Sequence, residues 1–232
     1  MKLTYIYHSG FFLEMDGVDL LFDYYQGDLP DHDREHPLVV FASHRHPDHF
    51  SRKIFKLSDD HSRVYYVLSD DISKSHVPPA LRERCFFVGP HEDVIPEIPG
   101  VDMKIQTLES NDEGVAFIVE TEGKKIYHAG DLNSWWWDDG TPEDRELEAR
   151  YRAELQRIDG ENFDVAFVPV DPRITGWWKG MEDFLDHCSG DVLVPMHSFG
   201  DHSMPGRLRA RMDKENKKKL LDVEHPGQQW EL

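Results

Sequence analysis

Residues 43–50 read SHRHPDHF, so His44, His46, Asp48 and His49 follow directly on the apolar run LVVFA at 38–42. A run of that kind reads as a strand covered on both faces. Desolvating four titratable side chains at its end is costly unless they are satisfied there. His44 and His46 stand two apart and point the same way from extended chain. Pro47 keeps His46 extended and opens a turn that swings Asp48 and His49 round. Imidazole and carboxylate are the donors that borderline divalent metals such as zinc prefer, so the stretch predicts a metal site at a strand end. A histidine-rich surface turn arising by chance is the competing reading, and the tight spacing of the four donors weighs against it.

Strand-like runs recur along the chain. LTYIYH (3–8), FFLEM (11–15) and VDLLFDY (18–24) open it as a meander, with Asp16-Gly17 as the hairpin signal between the last two. VYYVL (64–68), CFFV (85–88), MKIQTL (103–108), VAFIVET (115–121), KKIYHAG (124–130), DVAFVPV (164–170) and DVLVPM (191–196) continue the pattern. Helical spacing is clearest over 142–158, where Thr141 and Pro142 suit an N-cap and first turn, and Leu147, Tyr151, Leu155 and Ile158 share one face. Segments 47–56, 78–84, 180–188 and 203–213 are the other helix candidates. Strands grouped in two halves and interleaved with helices predict a single α/β domain over 1–232, a four-layer αββα sandwich of two packed sheets with helices outside.

The same HRHPDH stretch, His44 to His49, resembles the HxHxDH motif of the metallo-β-lactamase superfamily, and later segments are similar to that family's elements in order. YHAGDLN (127–133) resembles the strand end whose aspartate bridges two metals, which assigns that role to Asp131; VPMHSFG (194–200) resembles the last ligand strand and assigns His197. The opening stretch at 7–25 is similar to that of the branch containing the ascorbate-6-phosphate lactonases, with Asp23 placed to hold the metal histidines. The resemblance implies His44 and His46 on a first metal, Asp48, His49 and His197 on a second, and Asp131 between them. One departure stands out. The middle loop, LESNDEGVAF (108–117), has no histidine where the family supplies a third imidazole to the first metal. Asp112 is the replacement ligand that loop offers. With it, the oxygen-richer shell would favour manganese or iron; otherwise zinc is the expected ion of the two divalent sites.

These residues point to hydrolysis of a small, anionic lactone, ester or phosphodiester by a hydroxide shared between two metals, with Asp48 or Asp131 as proton shuttle. Five of the six tryptophans lie in LNSWWWDDG (132–140) and at Trp177-Trp178. Either they wall a pocket, with Trp135 nearest the metal aspartate, or they seat helices on the sandwich. Arg173 is a substrate clamp or an ion-pair partner of Asp171. His8 and His128 both end strand runs near the site; each is a ligand, a substrate contact or a hydrogen-bonded core histidine, and His8 is the better substrate contact.

A net charge of −19, from 26 basic and 45 acidic residues, disfavours long nucleic acid and anionic membranes as partners. A phosphodiesterase acting on short or cyclic nucleotides survives that argument, as does a degenerate metal-binding module that lost one ligand. The first residues lack the pattern of a signal peptide, and no window reaches about 18 consecutive apolar residues, so a soluble cytoplasmic protein is expected, with a homo-oligomer left open. The two cysteines, Cys85 and Cys188, sit in apolar contexts and suggest buried thiols rather than a disulfide framework.

Overall fold

The computed structural model describes all 232 residues. In chain order the strands are β1 (Lys2–Tyr7), β2 (Gly10–Glu14), β3 (Asp19–Phe22), β4 (Leu38–Ala42), β5 (Val64–Ser69), β6 (Cys85–Val88), β7 (Asp93–Val94), β8 (Met103–Glu109), β9 (Val115–Thr121), β10 (Lys124–His128), β11 (Asn162–Pro169), β12 (Ser189–Met196) and β13 (Gln229–Glu231). The helices are α1 (Pro142–Gln156), α2 (Lys179–His187), α3 (Met204–Arg211) and α4 (Asn216–Lys219). One sheet runs β13-β1-β2-β3-β4-β5-β6 and the other β12-β11-β10-β9-β8-β7.

Both sheets mix antiparallel hairpins with a parallel set. β3, β4, β5 and β6 are mutually parallel, as are β10, β11 and β12. The alternation of β4 shows why this chain makes a layered fold: Val39 and Phe41 enter the large core shared with the second sheet, whereas Leu38, Val40 and Ala42 enter a smaller cluster on the outer face. A strand apolar on both faces must be covered twice. On the second sheet that cover is α1 and α2, with Tyr151, Leu155 and Phe184 buried against it.

The αββα sandwich is therefore present, with a difference on its first outer layer. The segments expected as helices at 47–56 and 78–84 are 3-10 turns, Arg52–Asp59 and Pro79–Arg84. Pro78 and Pro79 withhold backbone donors from the second, and Ser51 caps the first by accepting the Lys53 N–H. Ile54 and Phe55 still reach the outer cluster. The helix expected from 142 begins as anticipated: Thr141 and Asp144 form a reciprocal capping box with Pro142 in the first turn. Two short strands, β7 and β13, were not legible, being two and three residues long. Cys188 is buried and Cys85 half-buried, and both are free thiols. No helix is long and apolar enough to cross a membrane.

Candidate metal centre

The parallel segments bring many strand ends to one edge of the sandwich. His8 follows β1, Asp23 follows β3, His44 follows β4, Asp131 follows β10, Asp171 follows β11 and His197 follows β12. In sheets of this kind, ligands bind outside the carboxyl ends of strands. The backbone turns sharply there. His8, Asp23 and His197 hold φ of 58°, 42° and 62°, the left-handed region that L-residues rarely adopt. Each such residue stops its strand and redirects its own side chain, a strain that recurs at functional sites.

The donor atoms fall into two groups within 4.8 Å: His44, His46, Asp112 and Asp131 in one, and His8, Asp48, His49 and His197 in the other. Asp131 faces both. Its Oδ2 lies 3.5 Å from His44 Nε2, and its Oδ1 lies 3.1 Å from His49 Nε2 and 3.2 Å from His197 Nε2. The opposite ring nitrogens are already engaged: His49 Nδ1 donates to Asp23 at 2.7 Å, and His197 Nδ1 donates to Asp171 at 3.1 Å. The facing Nε2 atoms therefore present lone pairs to a carboxylate, a repulsive arrangement unless a cation or extra protons sit among them. His49 Nε2, His197 Nε2, Asp131 Oδ1 and both ring nitrogens of His8 are buried without a hydrogen-bond partner. One unsatisfied atom from each of these four side chains, gathered with Asp48 beside Asp131, makes a donor set suited to divalent metal ions.

Protons and a cation compete for these atoms: burial opposes a charged His49, but Asp131 and Asp23 outweigh it and raise that ring well above its ordinary value. Burial, then the neighbouring His197 and His49, hold the His8 imidazole down to about 2, and burial with His49 holds His44 to about 4. Both rings are neutral, the form that ligates. Burial opposes the ionisation of Asp131, but His49 and His197 win and keep its carboxyl well below the ordinary range. Burial and the neighbouring Asp131 carboxylate raise Asp112, the response of an acid that lacks a cation.

Every residue expected from the sequence to hold a metal lies in this cluster. Asp112 Oδ2 stands 3.7 Å from His46 Nδ1, in the loop where the imidazole is missing. Gly114 has φ of 70° and passes so close to the Ser43 carbonyl and His44 that a Cβ would collide with both, which lets this loop reach the site. Ser43 links the supports: its backbone N–H and hydroxyl both donate to Asp23, while its oxygen lies 3.0 Å from His44 Nδ1.

His8, weighed from the sequence as a ligand, a substrate contact or a core histidine, stands with the donor atoms, 3.6 Å from Asp48. Sequence reasoning missed other participants. Asp171 orients His197 as Asp23 orients His49. Glu113 Oε2 lies 3.3 Å from His46 Nε2. Phe199 and Tyr25 wall the His8 side, with ring centres 4.4 and 6.2 Å from His8. His128, by contrast, is a core histidine; it donates to the Ser9 carbonyl, accepts the Gly130 N–H and stacks on Phe22.

Above the cluster lies a recess of about 300 Å³ lined by His46, Asp48, Asp131, Trp135, Trp137 and Arg173, among others. The tryptophans divide between the two roles expected of them. Trp135 and Trp137 stack 5.8 Å apart over the recess, and the Trp135 indole donates to the Asp131 carbonyl. Trp136 packs against Gly176 and Lys179, while Trp177 and Trp178 lie under Arg207 and Arg211. Asp144 ties this loop to α1 by accepting the N–H groups of Trp137, Asp138, Gly140 and Thr141. Arg173 also does two things: Nε and one Nη grip Asp171, while the guanidinium stacks 3.8 Å over Phe199 at the recess wall.

A family model described as a Beta-lactamase superfamily domain matches residues 2–140, more than half of the chain. A curated relative, the UPF0173 metal-dependent hydrolase of Opitutus terrae, is 28% identical over 212 residues, covering 85% of this chain and 84% of its own. Among solved structures, Igni18, a metallo hydrolase from Ignicoccus hospitalis, aligns over 100% of this chain and 98% of its own with a TM-score of 0.63 and 21% identity. An isothiocyanate hydrolase from Delia radicum gut bacteria aligns over 100% and 99% with a TM-score of 0.59 and 14% identity. At those identities the solved structures speak to the fold.

Proposed function

This chain belongs to the beta-lactamase superfamily, and from that premise we propose that it is a metal-dependent hydrolase of a small, anionic lactone, ester or phosphodiester. The observation that carries the proposal is the set of buried, partnerless donor atoms of His8, His49, His197 and Asp131 beneath an open recess. His44, His46, Asp112 and Asp131 would hold one divalent ion, and His8, Asp48, His49 and His197 the second. Zinc suits the second group; the two carboxylates of the first admit manganese or iron as readily. Bound there, such ions supply Lewis-acid polarisation of a scissile bond and water acidified toward neutrality.

The chain's own groups do the rest. Asp23 and Asp171 fix the tautomers of His49 and His197 so that the lone pairs face inward. Asp48, one-third exposed at the recess floor, is placed to take a proton from a nucleophile and return it to a leaving group. Arg173 offers its remaining Nη to a substrate carboxylate or phosphate, and the Trp135–Trp137 stack excludes water on the opposite wall. Likeness of the opening hairpin to the lactonase branch supports an ester-type substrate. The degenerate-module reading rested on the missing imidazole, and the Asp112 carboxylate beside His46 weakens it.

The test is a panel of lactones, acyl esters, phosphodiesters and phosphorylated sugars, assayed with zinc-, manganese- and iron-loaded protein. Chelator-sensitive turnover on one class supports the proposal. Metal-loaded protein inert toward every class would contradict it.

A further inference from the structure

Away from the metal centre, the acidic balance of the chain is locally reversed. A second recess, of about 360 Å³, lies on the outer face of the first sheet between the loop 23–37 and the 3-10 turn Arg52–Asp59. Its lining shares no residue with the recess above the metal cluster. Leu29, Leu38 and Leu57 supply an apolar portion. Arg34, Lys53 and Lys56 supply charge. Lys53 has no carboxylate partner and lies 3.8 Å over the Tyr24 ring. Lys56 has no ion pair, and Arg34 reaches only the exposed Asp60 at 3.4 Å. Asp31 and Asp60 are the acids of the lining, both exposed to solvent.

The second observation is His61, a lining residue only 3% exposed. Its Nδ1 accepts the Arg63 N–H at 3.3 Å, which places the ring proton on Nε2. That Nε2 is buried and has no partner. A buried donor without an acceptor is costly, so its retention implies an acceptor that arrives from outside. His32 stacks on His61 at 5.8 Å and donates its own Nδ1 to the Pro30 carbonyl. Burial first, then neighbours that include the Arg34 and Arg63 guanidiniums, pull His61 below its ordinary value, as expected of a neutral ring in a positive field.

We propose that this recess binds the phosphate of a small organic phosphate ester, at a site separate from the metal centre. Lys53, Lys56 and Arg34 neutralise the dianion, His61 Nε2–H donates to one of its oxygens, and the leucines take a compact apolar group. Lysine serves phosphate as a point charge, which suits lysines held without carboxylate partners.

Phenyl phosphate, titrated into metal-loaded protein while histidine ring resonances are followed by ¹H–¹⁵N NMR, provides the test. Because this probe also samples the metal centre, Asp131→Asn and the double variant Lys53→Met/Lys56→Met separate the two sites. The expected result is a saturable shift of the His61 and His32 rings in wild type and in Asp131→Asn. In the double variant, affinity at these rings falls at least about tenfold while unfolding stays cooperative. Silent His61 and His32 rings, unchanged affinity in the double variant, or a response that vanishes in Asp131→Asn would each overturn the proposal.

Discussion

Replacing Asp171 with Asn tests whether the His197 side of the cluster is held as a ligand. The carboxylate is fully buried, accepts the His197 Nδ1–H at 3.1 Å and grips Arg173 through contacts of 2.6 to 3.1 Å. Burial opposes its ionisation, yet the His197 and Arg173 hydrogen bonds hold the carboxyl at about 2, down from an ordinary 3.8. That drop corresponds to roughly 2 kcal/mol of folding stability. A carboxyl depressed by folding stabilises above its unfolded value near 3.8, and the contribution disappears as pH falls through about 2. Asp171→Asn should therefore be less stable than wild type at pH 7, and the gap should close at the acid end of a urea series. Asn retains one acceptor but loses the charge that fixes His197. Affinity for the ion on the His8, Asp48, His49 and His197 side should consequently fall about 10- to 100-fold in a chelator competition. The other site, supported through Ser43 and not through Asp171, should change little. Unchanged metal affinity at both sites would refute the reasoning, whatever the stability did.

Other substitutions probe other parts. His46→Ala should abolish turnover and leave unfolding cooperative, since His46 is a third exposed and contributes little to the core; retained activity would remove it from the ligand set. Asp144→Ala strips acceptors from four backbone N–H groups of the tryptophan loop, and should cost about 1–3 kcal/mol in denaturant melts and raise KM more than it lowers kcat. Arg173→Lys keeps the charge but loses the planar fork, so KM for an anionic substrate should rise about tenfold, with little change for a neutral analogue of it.

The sequence revealed the part of this site that is local. HRHPDH packs four donors into six residues, and periodicity placed it at the end of a buried strand. Asp131 and His197 were assigned by resemblance of short strand ends, and parallel pairing of β10, β11 and β12 explains why those ends meet. What was illegible depends on torsions and tertiary contacts. Nothing in YHSG says that His8 adopts a left-handed backbone and turns into the cluster, since the core histidine His128 sits in the closely similar YHAG. Asp171 looked like half of an ion pair because its second partner, His197, is 26 residues away. The 3-10 turns at 52–59 and 79–84 were expected as helices because their apolar spacing, read over so few residues, does not separate the two.

The central claim is that these side chains enclose two cations. Protein saturated with zinc or manganese, counted for metal per chain and crystallised for anomalous diffraction at the metal edge, tests it most directly. The account predicts two peaks flanking Asp131, one against His44, His46 and Asp112 and the other against His8, Asp48, His49 and His197. A saturated protein with no peak beside Asp131, or with its only metal on surface carboxylates elsewhere, would contradict it.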